Sequence, residues 1–152
     1  MGVARWMNSS ARSLVVAQRL VRKLCPHCRQ RMPENTHVPA SLWPRPLPQW
    51  QAAGCNRCYH GFHGRVALFE VLEVDTPLRH AIASGLPAGE IEALSRQAGM
   101  TTLFQNGCLA VEQGLARIER IARVLARSGG RRAGDRFRFW RASDAVKQKT
   151  DF

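Results

Sequence analysis

Four of the five cysteines stand as two Cys-x-x-Cys pairs, Cys25-Pro26-His27-Cys28 and Cys55-Asn56-Arg57-Cys58, with 26 residues between them. Each pair makes a tight turn that directs two sulfurs at one point, and two such turns complete a tetrahedral thiolate set for a structural zinc. If the pairs act together, the chain from residue 25 to 58 must close on itself. Two other readings fit the same residues: unrelated reduced turns, or a redox Cys-x-x-Cys. A redox motif needs only one pair, at the start of a helix, whereas Pro26 and Gly54 suit turns. Cys25, Cys28, Cys55 and Cys58 are therefore the candidate metal ligands. His27, His60 and His63 flank them, and one of these could replace a thiolate. Four sulfurs already complete the shell, which favours solvated turn histidines.

Cysteines in such pairs, with no continuous apolar leader at the start of the chain, point to a reducing compartment and to metal rather than disulfides. No apolar run approaches the ~20 residues needed to cross a bilayer. The 152 residues suffice for one domain or two small lobes. The net charge of +12 sits at the two ends: residues 1–31 carry seven Lys/Arg and no acid, and 127–152 carry eight against three. The interior is balanced, eight bases against eight acids. Basic ends can bind nucleic acid or anionic lipid, although solvated flanks are the favoured reading.

Along the chain, Asn8, Ser9 and Ser10 can cap a short helix through Val16, followed by a strand over about Gln18–Leu24; one continuous helix fits the same periodicity. This end cannot bury its own apolar face. Residues 26–48 hold six of the eight prolines, which predicts an extended or turn-rich insert with little regular structure. A β-branched run predicts a strand, or a bent pair of strands, over about Arg65–Val74. Helices are expected from Thr76-Pro77 to a stop at Gly85, over Ala88–Ala98, over Thr102–Gln113 and over Ala116–Leu125. The last places Ile118, Ile121, Ala122 and Leu125 on one stripe. Cys108 reads as a small core hydrophobe. From Arg127 onward no period survives and a disordered tail is expected. Arginines among Phe137, Phe139 and Trp140 can stack on single-stranded nucleic acid, but nothing places them in a groove.

The nucleotide-cradling G-x-x-x-x-G-K-[ST] motif is absent, as is the dipeptide Gly-Lys itself. No catalytic carboxylate pair or nucleophile motif is present. Arg65 is the charged residue most constrained by sequence, because Gly61 and Gly64 shape the turn before it. The plainer reading pairs it with Glu70.

Two runs carry a resemblance. The first is Ala17-Gln18-Arg19-Leu20-Val21-Arg22-Lys23-Leu24-Cys25-Pro26-x-Cys28. The second is Gly54-Cys55-x-x-Cys58-x-x-Gly61-Phe62-x-Gly64-Arg65, continuing to Glu70-Val71-Leu72. Together they resemble the C-terminal part of the bacterial traffic ATPases of type II secretion and type IV pilus assembly (the GspE/PilB family), nearest its HofB-like branch. Gly99-Met100-x-Thr102-Leu103 through Gly107, Val111, Gly114 and Arg123-Val124 is similar to their terminal helical segment. The resemblance covers about residues 2–126.

It implies an α/β remnant of a RecA-like domain edge with a four-cysteine zinc-binding insert, followed by a small all-α helical lobe. The implied divisions are 1–24 (terminal helix and strand of a truncated RecA-like domain), 25–64 (zinc-binding insert), 65–75 (closing strands), 76–126 (helical lobe) and 127–152 (disordered basic tail). It also implies a homo-hexameric, cytoplasmic motor, peripheral at the inner membrane and docked to secretion or pilus platform proteins. ATP and Mg²⁺ would be used by the full-length family only. Zinc ligation carries over to Cys25, Cys28, Cys55 and Cys58, and no ATP-hydrolysing residue carries over.

The chain departs from the family at Asn8, Arg12, Ala116 and Arg120. These departures, the missing front and the unfamiliar tail suggest a truncated or decaying gene product, competent at most for zinc binding and docking and inactive alone. The alternative is a free-standing zinc-ribbon module that binds nucleic acid. Steep salt dependence of DNA or RNA binding would mark that alternative.

Overall fold

The computed structural model describes residues 13–128. The expected cap at Asn8–Ser10 and residues 129–152 of the expected tail lie outside these. Among the described residues the order is four strands and then four helices: β1 (Leu14–Leu24), β2 (Arg29–Thr36), β3 (Leu47–Ala52), β4 (Phe62–Glu73), α1 (Thr76–Ser84), α2 (Ala88–Gln97), α3 (Leu103–Glu112) and α4 (Ile118–Ser128). The strands nest as two antiparallel pairs, β1 with β4 outside and β2 with β3 inside.

Leu14–Val16, expected to end a helix, are strand instead. Their partners are Glu73, Leu72 and Val71 of β4. A pattern such as Leu-Val-Val-Ala-Gln-Arg-Leu-Val supports either period, and the cross-strand neighbour decides between them. With β4 alongside, odd-numbered residues of β1 turn inward and Val21 is buried against the helices. The even-numbered set Leu14, Val16, Gln18 and Leu20 faces out, and past the register shift between Arg22 and Leu24 the alternation changes and Leu24 is buried.

The proline-rich insert is more regular than its composition suggested. β2 pairs Arg29, Gln30 and Arg31 with Ala52, Gln51 and Trp50, and resumes with Asn35 opposite Pro48 and Thr36 opposite Leu47. Pro33 falls in the register shift between Arg31 and Asn35. A missing N–H costs nothing at a bulge or on an outward edge, so a two-stranded sheet tolerates prolines that a central strand would not.

α1 is capped one residue earlier than the sequence suggested. Asp75 accepts the Leu78 N–H at 2.9 Å, and Pro77 sits in the first turn. Its C-terminus closes at Gly85, where the N–H groups of Gly85 and Leu86 reach the Ile82 and Ala81 carbonyls. α3 opens on a reciprocal capping box between Thr102 and Gln105. The stripe Ile118, Ile121, Ala122 and Leu125 of α4 is buried as its spacing implied.

One buried cluster joins Val21 of β1, Trp43 and Leu47 of the insert, Leu68 of β4, and Cys108, Val111, Ile118, Ile121 and Leu125 of α3 and α4. Gly107 brings α3 against Ile121, and a Cβ there would overlap that side chain. The end of α3 is closed by the insert. Trp50 Nε1 donates to the Val111 carbonyl at 2.7 Å, and the Arg29 guanidinium donates to the carbonyls of Gln113 and Gly114. Gly114 has φ +68°, and a Cβ there would come within 2.8 Å of both Trp50 and Arg29. Glycine is thus required for backbone shape and for close approach.

Candidate metal centre

The two cysteine turns occupy equivalent places in the nested strands. Cys25–Cys28 carries the chain from β1 into β2, and Cys55–Cys58 carries it from β3 into β4. Each pair therefore lies where the chain passes between an outer strand and an inner one. Strand pairing alone brings the two turns face to face. The Cys25 N–H donates to the Gly61 carbonyl at 2.9 Å, and the Cys25 carbonyl accepts the Arg29 N–H at 3.0 Å. In the second turn the Cys58 N–H reaches the Cys55 carbonyl, and the Cys55 N–H donates to the Cys58 sulfur at 3.3 Å.

A tight hairpin follows. Tyr59 and Phe62 exchange backbone hydrogen bonds at 3.0 and 3.1 Å across His60 (φ 51°) and Gly61 (φ 80°). Two successive positive φ values are the mark of a two-residue hairpin turn matched to strand twist. A Cβ on Gly61 would lie within 2.8 Å of the Ala52 backbone. Arg22 locks the outside of this hairpin, donating to the Tyr59 carbonyl at 3.1 Å with its guanidinium 4.6 Å from the Phe62 ring centre.

All four sulfurs lie within 4.8 Å of one another. The Cys25–Cys55, Cys28–Cys58 and Cys55–Cys58 separations are 3.9, 3.7 and 3.6 Å. Thiolates bound tetrahedrally at about 2.3 Å stand about 3.8 Å apart, so the cluster has the size and donor set to hold a metal ion. Cys25 is fully buried and the other three are half-buried. His27, His60 and His63 are exposed and outside the sulfur group. The sequence thus named the four thiols that the fold brings together.

Arg65 is exposed, opposite Arg22 in the β1–β4 ladder. It does not face Glu70, because residues five apart on a strand point to opposite sides. Glu70 instead accepts the Leu103 N–H at the start of α3, at 2.9 Å. Sequence reasoning missed the parts played by Arg22, Arg29 and Trp50. Only Trp50, an aromatic residue beside the prolines, carried any signal.

Crowded thiols without metal titrate unequally. Desolvation, helped by hydrogen bonding to Cys58, pushes the Cys28 thiol up to about 12. Cys58 feels the same desolvation, but donors around its sulfur, led by the Cys55 N–H, outweigh it and bring the thiol down to about 7. Burial, and then the charge of Glu112, raise Cys108 to about 12. Thiolate is the reactive form. Metal-free protein at pH 8 should therefore be alkylated by iodoacetamide first at Cys58 and last at the fully buried Cys25 and Cys108. Peptide mass spectrometry over time checks the order, and early labelling of Cys108 would contradict the buried placement.

The family model described as "Type II/IV secretion system protein" matches residues 1–123. The chain belongs to this family. It is 59% identical over 130 residues to "Protein transport protein HofB homolog" of Escherichia coli (strain K12), covering 86% of this chain and 28% of that relative. It is 36% identical to "Type IV pilus assembly ATPase PilB" of Thermus thermophilus, over 84% of this chain and 15% of the relative. "Type II secretion system ATPase E" of Vibrio cholerae is also 36% identical, over 84% and 26%. The chain thus spans less than a third of the length of each of these secretion-family relatives. No helix among its described residues is long and apolar enough to cross a membrane.

Proposed function

We propose that this chain serves a type II secretion or type IV pilus assembly ATPase as its metal-braced module, holding structural zinc at Cys25, Cys28, Cys55 and Cys58. The observation that carries this reading is the cluster of four sulfurs, with separations of 3.6 to 3.9 Å, in a chain of this family. Four thiolates and no open position suit a structural rather than a catalytic metal. The β1–β4 pair is then the edge of a RecA-like sheet. Its outward face leaves Leu14, Val16, Leu20, Phe69 and Val71 between 43% and 52% exposed, which supports a neighbouring layer in the assembled motor. The divisions at residues 24/25, 64/65, 75/76 and 126/127 belong to the same reading, as do a homo-hexamer and docking to inner-membrane platform proteins from the cytoplasmic side.

Phosphate cradling needs backbone donors and a lysine that residues 1–152 do not encode. The isolated chain is therefore expected to contain one zinc per molecule by elemental analysis and to show no Mg²⁺-dependent ATP turnover. Purified protein with no zinc would defeat the metal assignment. Phosphate release from ATP would defeat the assignment as a non-hydrolysing module.

A further inference from the structure

The outward face of the β1–β4 pair is patterned from end to end. Along β4 it presents Arg65 at one end, Phe69 in the middle and Glu73 at the other, opposite Arg22, Gln18 and Leu14 of β1. Between the centre and the ends stand Val16, Leu20 and Val71, half-exposed like Phe69 itself. An antiparallel sheet with one face in water ordinarily keeps that face polar. The inner face already buries Val21 and Leu68, so this sheet is apolar on both sides. Its ends carry opposite charge. Arg65 lies directly across from Arg22, and like charges so placed repel. Arg22 is held by the Tyr59 carbonyl and the Phe62 ring, whereas Arg65 is exposed. Neither Arg65 nor Glu73 has an ion-pair partner among the described residues.

We infer that this face docks a second copy of the chain, sheet on sheet, about a twofold axis passing over Phe69 and Gln18. Phe69 stands midway between Arg65 and Glu73 on β4, and Gln18 stands midway between Leu14 and Arg22 on β1. Reversing the strand direction about those midpoints lays Glu73 of one protomer over Arg65 of its partner, at both ends of the patch. It also lays Val16 over Leu20 and Phe69 over its own counterpart. A twofold interface must be complementary to itself. Acid at one end, base at the other and an aromatic ring midway meet that condition. Facing sheets pack about 10 Å apart, a gap that an arginine and a glutamate span together. The pairing needs no other part of a motor, because the copy takes the place that a neighbouring layer takes there. Two strands about 4.8 Å apart make a patch smaller than the ~800 Å² per partner of a standard interface. The dimer is therefore a reversible one.

Sedimentation velocity of the full chain across the micromolar range tests the pairing. Monomer should give way to dimer and to nothing larger, since a closed twofold leaves no patch free. Phe69→Glu sets two carboxylates against each other on the axis and should weaken the dimer at least about ten-fold. Glu73→Arg and Arg65→Glu each set like charges together at both ends and should weaken it by a similar factor. The double variant Arg65→Glu/Glu73→Arg should restore affinity to within about three-fold of the native chain, a rescue that a loss of folding could not produce. A chain that stays monomeric throughout the range, or larger assemblies in place of the dimer, overturns the inference. So does a dimer indifferent to Phe69→Glu, which would place the contact elsewhere, as in edge-to-edge pairing of β1. If Phe69→Glu fails to fold, the charge variants decide: a double variant no tighter than the single ones overturns the inference.

Discussion

Cys25→Ser is expected to abolish metal binding and to release the chain from Cys25 to Gly61. Cys25 is 0% exposed, and its backbone already ties the first turn to Gly61 and Arg29, so the sulfur position has no slack. Structural zinc contributes about 10 kcal/mol or more in small zinc peptides, and an isolated two-stranded sheet such as β2–β3 is marginal in water. The inner pair should therefore lose most of its amide protection in the variant, and likewise when the native chain is treated with a chelator.

The graded response of the rest is the informative part. Trp43, Leu47 and Trp50 of the insert pack on α3 and α4, so these helices should lose protection second. α1 is closed by its own caps at both ends, α2 is closed by backbone hydrogen bonds at its C-terminus, and both should respond least. Hydrogen exchange with and without chelator reads this gradient. Full protection of β2 and β3 after metal removal would show that strand pairing, not metal, orders the insert.

Ile121→Ala should destabilise the chain by about 2–5 kcal/mol, the range for emptying a fully buried aliphatic site that cannot collapse. Ile121 is 0% exposed and packs against Gly107, which has no side chain to swing in and fill the space. Domains are stable by only ~5–15 kcal/mol in total, so the loss should move a urea midpoint plainly. The cluster around Ile121 includes residues of the insert, so protection in β3 should fall together with that in α4. A change below about 1 kcal/mol would mean that α4 is held from elsewhere.

The candidate site was more legible than the fold around it. Two Cys-x-x-Cys turns carry their geometry locally, and their meeting required only that the chain between them return. The helices were legible for a similar reason. Asp75, the Thr102–Gln105 box and Gly85 act within a few residues, and the α4 stripe follows from a period of about 3.6. The β-structure was less so. The start of β1 reads as helix until Val71 and Leu72 stand beside it, and the proline-rich insert reads as irregular until β3 pairs with β2 and a bulge takes up Pro33.

By itself, then, the sequence determined what local chemistry can encode: four thiols in two turns, helix starts and stops, one apolar stripe, and the absence of a phosphate loop. Only the tertiary structure decided which residues from distant segments meet. It set Arg29 and Trp50 on the carbonyls at the end of α3, 61 or more residues away in sequence. It turned Glu70 to Leu103 rather than to Arg65, and it gathered Arg22 and Arg120 on one phenyl ring. Capping and turn geometry are short-range and leave a signature in neighbouring residues. A contact between remote segments is fixed by the packing of whole elements, and no short stretch of chain records it.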